Sequence, residues 1–217
     1  NEFEQLSAAK AHSEEIKTSR VGGLGGSDAA MVLKIGRNGL HALSNTDVKR
    51  LRVMLGLDEP CNFGGNAATE AGHSFEDYIA DRLRLIYPLG YTREEKMIGE
   101  DFGAFKTFAH ADFLTASKKV IECEFVQDTP QNVLAKYYAQ LQWYYNLGAD
   151  CVTLCHGVGN VEPFAVRDYK FLDVPRDEQE ISDIREGLRL ILEYCQNEQA
   201  GSAPVEVDMQ AKQRKLV

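Results

Sequence analysis

The chain has 217 residues, 44% hydrophobic and 26% charged, which gives room for one sizeable domain and argues against a disordered, collagenous or membrane-spanning chain. Its formal net charge of -9 at pH 7 argues, taken globally, against a nucleic-acid binder, because phosphate neutralisation drives such binding. Five scattered cysteines, Cys61, Cys123, Cys151, Cys155 and Cys195, make a disulfide framework unexpected. The polar, acidic start NEFEQLSAAKAHSEEIK reads as neither a secretory signal nor a transit peptide, so the expected location is the cytoplasm.

Residues 5–19 read as a polar helix. The run VGGLGGSDAAMVLKIG then gives a glycine-rich turn that opens onto a short helix over 28–33, with Ser27 or Asp28 as its N-cap. Over residues 20–52 the basic side chains Arg20, Lys34, Arg37, Lys49, Arg50 and Arg52 face only Asp28 and Asp47, whereas 173–198 is dominated by acids. One basic face on an acidic body is compatible with a polyanion held in a groove, and equally with a solvated face. A helix over 68–86 carries Phe75, Ile79, Leu83 and Ile86 at spacings of three and four, with Glu76 one position beside that stripe. Strands follow over 95–98, 104–115 and 120–127, the last two joined by a bend at Ser117 and Lys118.

Asp128-Thr129-Pro130 starts the next helix, since Thr129 caps the free amides and proline suits the first turn. This helix runs to about residue 147, with Leu134, Tyr138, Leu141 and Tyr145 on its apolar face and Gly148 as its stop. Strands over 151–156 and 162–167 precede a last helix over 178–196, with Ile181, Ile184, Leu188, Ile191 and Cys195 inward; 197–217 reads as a loosely held tail. CVTLCH, residues 151–156, lacks a second cysteine pair and reads as core rather than as a metal site. The order is that of an α/β core with a mixed sheet.

In the strand VIECEFVQ, Ile121, Cys123 and Phe125 point to one face and Glu122 and Glu124 to the other. Asp112, on the preceding hairpin strand, comes to lie next to Glu122. Three acids converging at strand ends repel one another unless a hard divalent cation binds, and all-oxygen ligation is the preference of magnesium or manganese. The plainer alternative is the wet face of an edge strand. Two features tilt the balance: Glu76 beside its apolar stripe, and Gln140 and Tyr144 one turn apart on the helix that follows the glutamate strand. His73 and His110 flank the acids and read as supporting or surface residues; Trp143, Tyr144 and Tyr145 read as core rather than as base-stacking side chains.

Four pieces of text, in order over about residues 20–150, make the chain resemble the lambda-exonuclease or YqaJ-like branch of the PD-(D/E)XK nucleases. They are Arg20-VGGLGG-Ser27 followed by DAA, Gly72-HSF-Glu76, the D-x9-E-x-E run from Asp112 through Glu122 to Glu124, and Gln140-Leu-Gln142. The resemblance implies a restriction-endonuclease-like core, a mixed central β-sheet flanked by helices, in one nuclease domain over 1–217 with its core at about 20–196. It implies that Glu76 supports the metal site, that Asp112, Glu122 and the Cys123 carbonyl ligate Mg2+ (with Mn2+ as substitute), and that Gln140 stands at the active-site rim. Arg20 and Ser27 look like the pair that grips a DNA 5′-phosphate. The partners so implied are double-stranded DNA ends, a single-strand annealing protein and two further copies of the chain in a ring-shaped trimer.

One departure stands against these matches. The family's Glu-x-Lys places a lysine where this chain has Glu124, and that lysine orients the attacking water and offsets phosphate charge. Either the chain uses Glu-x-Glu, with the second carboxylate as general base or holding a second metal, or it is inactivated, by nature or by replacement of a lysine. The expected function is a metal-dependent exonuclease of phage recombination type, hydrolysing one strand of duplex DNA from the 5′ end. The rivals are an endonuclease of the same superfamily, a non-catalytic DNA-binding module that keeps the fold, and an unrelated acidic α/β protein.

Overall fold

The computed structural model describes residues 22–58 and 67–199. In chain order the elements are β1 (Gly23–Leu24), a 3-10 turn (Gly26–Asp28), α1 (Ala29–Asn38), a second 3-10 turn (Leu40–Ala42), α2 (Asn45–Met54), α3 (Ala67–Ile86), β2 (Tyr91–Asp101), β3 (Lys106–Thr115), β4 (Lys119–Phe125), α4 (Pro130–Asn146), β5 (Cys151–Asn160), β6 (Ala165–Val174) and α5 (Glu178–Gln199). The expected helix over 5–19, Arg20, Cys61 and the tail beyond 199 lie outside the described residues. Among the described residues no helix is long and apolar enough to cross a membrane.

The expected α/β core with a mixed sheet is present, and its elements differ in detail: β2 spans Tyr91–Asp101 against the expected 95–98, and β5 runs to Asn160 against the expected 156. The first helix runs on past residue 33 to Asn38, where Gly39, at φ 76°, ends it. Helix α2 was not anticipated, although its start is written in the sequence: Ser44 Oγ accepts the Asp47 amide and Asp47 Oδ2 accepts the Ser44 amide, both at 3.1 Å, a reciprocal capping box. The last strand occupies Ala165–Val174 rather than 162–167, because the 161–164 segment forms the turn that precedes it. The last helix continues through Gln199 instead of ending near 196.

The sheet has the order β1-β3-β4-β5-β6, with β2 also paired to β3. β1 is parallel to β3 and β4 to β5, while the other pairings are antiparallel. Lys106 of β3 is matched with Gly23 of β1 and with Asp101 of β2, and Phe113 is matched with Ile121 of β4 and with Arg93 of β2. A strand has two edges, so β1 and β4 share the edge of β3 that β2 leaves, one at each end. The β3–β4 register holds only Phe113↔Ile121 and Leu114↔Val120, whereas β4 stays with β5 from Lys119↔Cys151 through Phe125↔Gly157. Asp112 and Glu122 are the next residues beyond the last β3–β4 pair, where the strands part.

One apolar cluster joins the sheet to α1, α4 and α5 through Val32, Ile35, Leu141, Trp143, Ile184 and Leu188. The second lies under α3, where Phe75, Ile79 and Leu83 meet Phe113, Ile121 and Cys155. The helices α1 and α5 touch at backbone distance: a Cβ on Gly36 would stand 1.8 Å from the Asp183 carbonyl oxygen, and one on Gly187 2.1 Å from that of Val32.

Much of the basic segment is spent on this packing rather than left to face a polyanion. Arg37 pairs with Asp183 at 2.8 Å and with Glu180, and Arg52 donates to Tyr194 Oη at 2.9 Å and to Asp58 and Glu198. Lys34 pairs with Asp47 at 3.2 Å.

Gly187→Ala is expected to lower the unfolding free energy in urea by about 1–3 kcal/mol, the usual cost of overpacking. Gly72→Ala, in α3 with nothing within 4 Å of the added carbon, is expected to be neutral or stabilising by up to about 1 kcal/mol.

Candidate active site

The alternation of β4 holds in three dimensions. Ile121, Cys123 and Phe125 lie with the α3 cluster, and Glu122 and Glu124 meet side chains of α4. That helix begins where its sequence demands: the Thr129 Oγ1 accepts the Asn132 amide at 3.3 Å and Pro130 occupies the first turn. It docks against the part of β3 that has left β4. Trp143 donates through Nε1 to the Phe108 carbonyl at 2.9 Å, and the Tyr144 hydroxyl lies 2.9 Å from the His110 carbonyl. Trp143, Tyr144 and Tyr145 are buried, as expected of core residues.

Glu122 is 6% exposed. Its Oε1 accepts from Gln140 Nε2 and its Oε2 from the Tyr144 hydroxyl, both at 2.6 Å. The expected pairing of Gln140 and Tyr144 on one helix face thus converges on one carboxylate. Asp112 Oδ2 accepts the Cys123 amide at 2.7 Å. A strand residue sends its N–H and C=O to the same edge, so the Cys123 carbonyl leaves β4 on the side of Asp112. Glu124 accepts the Tyr137 hydroxyl, to which Lys136 donates through Nζ at 3.2 Å. Glu76, from α3, has His73 Nδ1 at 3.5 Å and Arg93 Nη2 at 3.8 Å.

Burial and mutual repulsion push all four carboxyls above the ordinary range. Burial lifts Asp112 to about 8, with help from the Glu76 charge and against the Cys123 amide. Glu122 is pushed well up by burial and then by Asp112, while the Tyr144 hydroxyl opposes the shift. Burial takes Glu124 to about 7 against the Tyr137 hydroxyl. Glu76 is raised by burial and held back by His73 and Arg93. Such a set of oxygen donors, crowded and short of countercharge, fits the chemistry of a hard divalent cation. Among the described residues no three His, Cys, Asp or Glu side chains already form a cage for one, since Glu122 is turned to α4 and Asp112 to the Cys123 amide.

Ser27 lines a cavity of about 140 Å³ together with Gly25, Gly26, Asp28, Phe108, Gln140 and Tyr144. Gln140 and Tyr144 therefore form the wall between this cavity and Glu122. Arg20, the expected partner of Ser27, lies outside the described residues. His73 stands beside Glu76, and the His110 ring lies edge-on to Phe108 at 5.6 Å and lines the same cavity. CVTLCH forms the start of the core strand β5.

Sequence reasoning missed four residues around these carboxylates and the cavity. Arg93 and Glu94 sit just before the strand expected at 95, and no motif marks them. The β2–β3 register places Glu94 across from Asp112, with a positive φ of 50°, and its charge adds to the upward push on Asp112 and Glu76. Tyr137 was legible only as one more helix position. Arg50 belongs to a helix that was not expected at all.

No protein-family model matches the sequence, and no curated protein does. Among solved structures, the fold matches a phage-related exonuclease from Haemophilus somnus 129PT with a TM-score of 0.61 at 14% identity, covering 87% of this chain and 100% of the other. It matches the alkaline exonuclease LHK-Exo from Laribacter hongkongensis with a TM-score of 0.62 at 16% identity, over 94% of this chain and 100% of the other. LHK-Exo in complex with dAMP gives 0.64 at the same identity and coverage. With its mixed six-stranded sheet, flanking helices and parted β3–β4 hairpin, the chain has the fold of these exonucleases.

Proposed function

We propose that the chain is a single-domain, divalent-metal-dependent deoxyribonuclease that hydrolyses one strand of duplex DNA from the 5′ end. The observation that carries this reading is the shared wall: Gln140 and Tyr144 bond the buried Glu122 and also line the Ser27 cavity. A pocket for a terminal phosphate would thus adjoin the acidic centre. The fold likeness, which includes a neighbour in complex with dAMP, supports the same reading.

In this proposal Asp112, Glu122 and the Cys123 carbonyl hold Mg2+, or Mn2+ in its place, and Glu76 supports the centre from α3. A divalent cation bound there supplies a more acidic water and offsets charge on the phosphodiester. The remaining work falls to the chain. Gln140 and Tyr144 hold the Glu122 carboxylate in one orientation, and the Cys123 amide does so for Asp112. Ser27 and Arg20 grip the 5′-phosphate. Glu124, at about 7, is poised to take a proton from water near neutral pH, as a general base should be. The trimer, the annealing partner and the cytoplasmic location belong to the same proposal.

A second reading has its own observation. No ammonium stands at position 124; Lys136 donates to the Tyr137 hydroxyl that bonds Glu124 and acts on Glu124 by its charge alone, so the chain would bind DNA ends and cut them poorly.

Release of nucleotides from a linear, 5′-phosphorylated duplex in Mg2+ tests both. Asp112→Asn and Glu122→Gln are each expected to lower the rate by at least about 10²- to 10³-fold, the scale for loss of an electrostatic stabiliser. Undiminished cleavage by both variants would sink the nuclease centre. A large gain in Glu124→Lys would favour the second reading, and no gain or a loss would make Glu124 a working part.

The raised carboxyls also set a pH dependence. Without metal the folded protein keeps protons on Asp112 and Glu124 that the unfolded chain releases near pH 4, so stability falls as pH rises from about 4 to 8. The melting temperature in EDTA is expected to drop across this window, less steeply in Asp112→Asn. Mg2+ should remove most of the drop, because it binds the deprotonated acids. A profile unchanged by Mg2+ would count against a metal at these residues.

A further inference from the structure

The loop over 25–28 that carries Ser27 is tied from behind by a charge pair. The Asp28 side chain is 0% exposed, and its Oδ2 accepts the Gly25 amide at 2.9 Å. Its Oδ1 receives Arg50 Nη2 at 2.7 Å and Nε at 3.0 Å. The same Nη2 donates to the Ser27 carbonyl at 3.0 Å. Arg50 projects from α2, whose start is held by the Ser44–Asp47 box, and half of its side chain remains exposed.

On the inner side the loop packs against side chains of β3 and α4. A Cβ on Gly25 would meet the Phe108 ring at 3.3 Å, and one on Gly26 would meet Gln140 Cγ at 3.5 Å. A buried carboxylate is costly unless paired, and such pairs are poor sources of net stability. What this pair does supply is a fixed position for Ser27 relative to Gln140 and Tyr144, and Arg50 does so without lining the cavity.

We propose that Arg50 is a positioning residue for 5′-phosphate recognition: acting through buried Asp28 and the Ser27 carbonyl, it sets Ser27 at the cavity, so preference for a phosphorylated end depends on Arg50. This rests on the end-binding reading above.

The test measures binding by the full chain, in EDTA, to two short duplexes that differ only in a 5′-phosphate or a 5′-hydroxyl. The wild type is expected to prefer the phosphate, and Ser27→Ala to lose about tenfold or more of that preference, the scale of one hydrogen bond to a charged group. Arg50→Met leaves Asp28 without its partner. The decisive variant is therefore Arg50→Met with Asp28→Asn, whose amide oxygen still accepts from Gly25; its melting curve reports that it folds.

Because Asp28 itself lines the cavity, the reference is Asp28→Asn alone; relative to it, the double variant is expected to lose the preference as far as Ser27→Ala does, with no further change on the hydroxyl duplex. Adding Ser27→Ala to it should cost nothing more, since both act on one contact. Arg50→Lys, which keeps charge and loses the planar fork, should restore little. Wild-type preference in the double variant, or equal weakening on both duplexes, overturns the proposal. A wild type with no preference overturns the end-binding reading itself, and this inference with it, before any variant is made.

Discussion

Strands β3 and β4 exchange only two registered pairs before they part, and the polar groups released there must find other partners, because buried backbone groups are seldom left unpaired. The partners come from two directions. Asp112 turns its carboxylate onto the Cys123 amide, in the place a ladder would have filled. From the other side α4 lays Trp143 and Tyr144 against the Phe108 and His110 carbonyls. The parting of one hairpin therefore creates the opening, orients its first carboxylate and determines where α4 must sit.

Docking α4 there has an electrostatic consequence. The aromatic face that satisfies β3 also buries Glu122, and each carboxyl nearby raises the next. Left alone this crowding weakens the fold at neutral and alkaline pH. Partial relief comes from the neutral donors Gln140, Tyr144 and Tyr137, with the Lys136 charge helping at Glu124. Of the four carboxyls Arg93 and His73 pair with Glu76 alone, and Arg93 is held more closely by Asp77, at 2.7 Å. A centre built from neutral donors and excess acid retains its demand for positive charge, the property expected of a cation site and unexpected of a solvated strand face.

The remaining architecture serves to hold α4 and the Ser27 loop in register. The Gly36 and Gly187 backbones let α1 and α5 approach closely, and Arg37 and Arg52 tie α5 to the N-terminal helices. Two cations of the basic segment, Arg37 and Arg52, are thus engaged by the last helix.

Short-range pattern made much of this legible in advance. Period-two alternation separated Glu122 and Glu124 from Ile121, Cys123 and Phe125, and helical spacing put Gln140 and Tyr144 on one face and Ile181 through Cys195 inward. Proline, threonine and glycine marked the ends of α4. The α2 capping box is equally readable in Ser44 and Asp47, although the helix it starts buries only Leu51. Arg93, Glu94 and Arg50 could not be found this way, since their roles depend on contacts with residues 17 to 22 positions away that no periodicity encodes. The sequence by itself determined the elements, the face each side chain takes and the acidic character of the centre, because these follow from neighbours along the chain. Only the tertiary structure decided that Glu122 answers to α4, that Arg50 stands behind Ser27 and that Gln140 and Tyr144 join cavity to carboxylate, because those contacts exist only once distant segments pack.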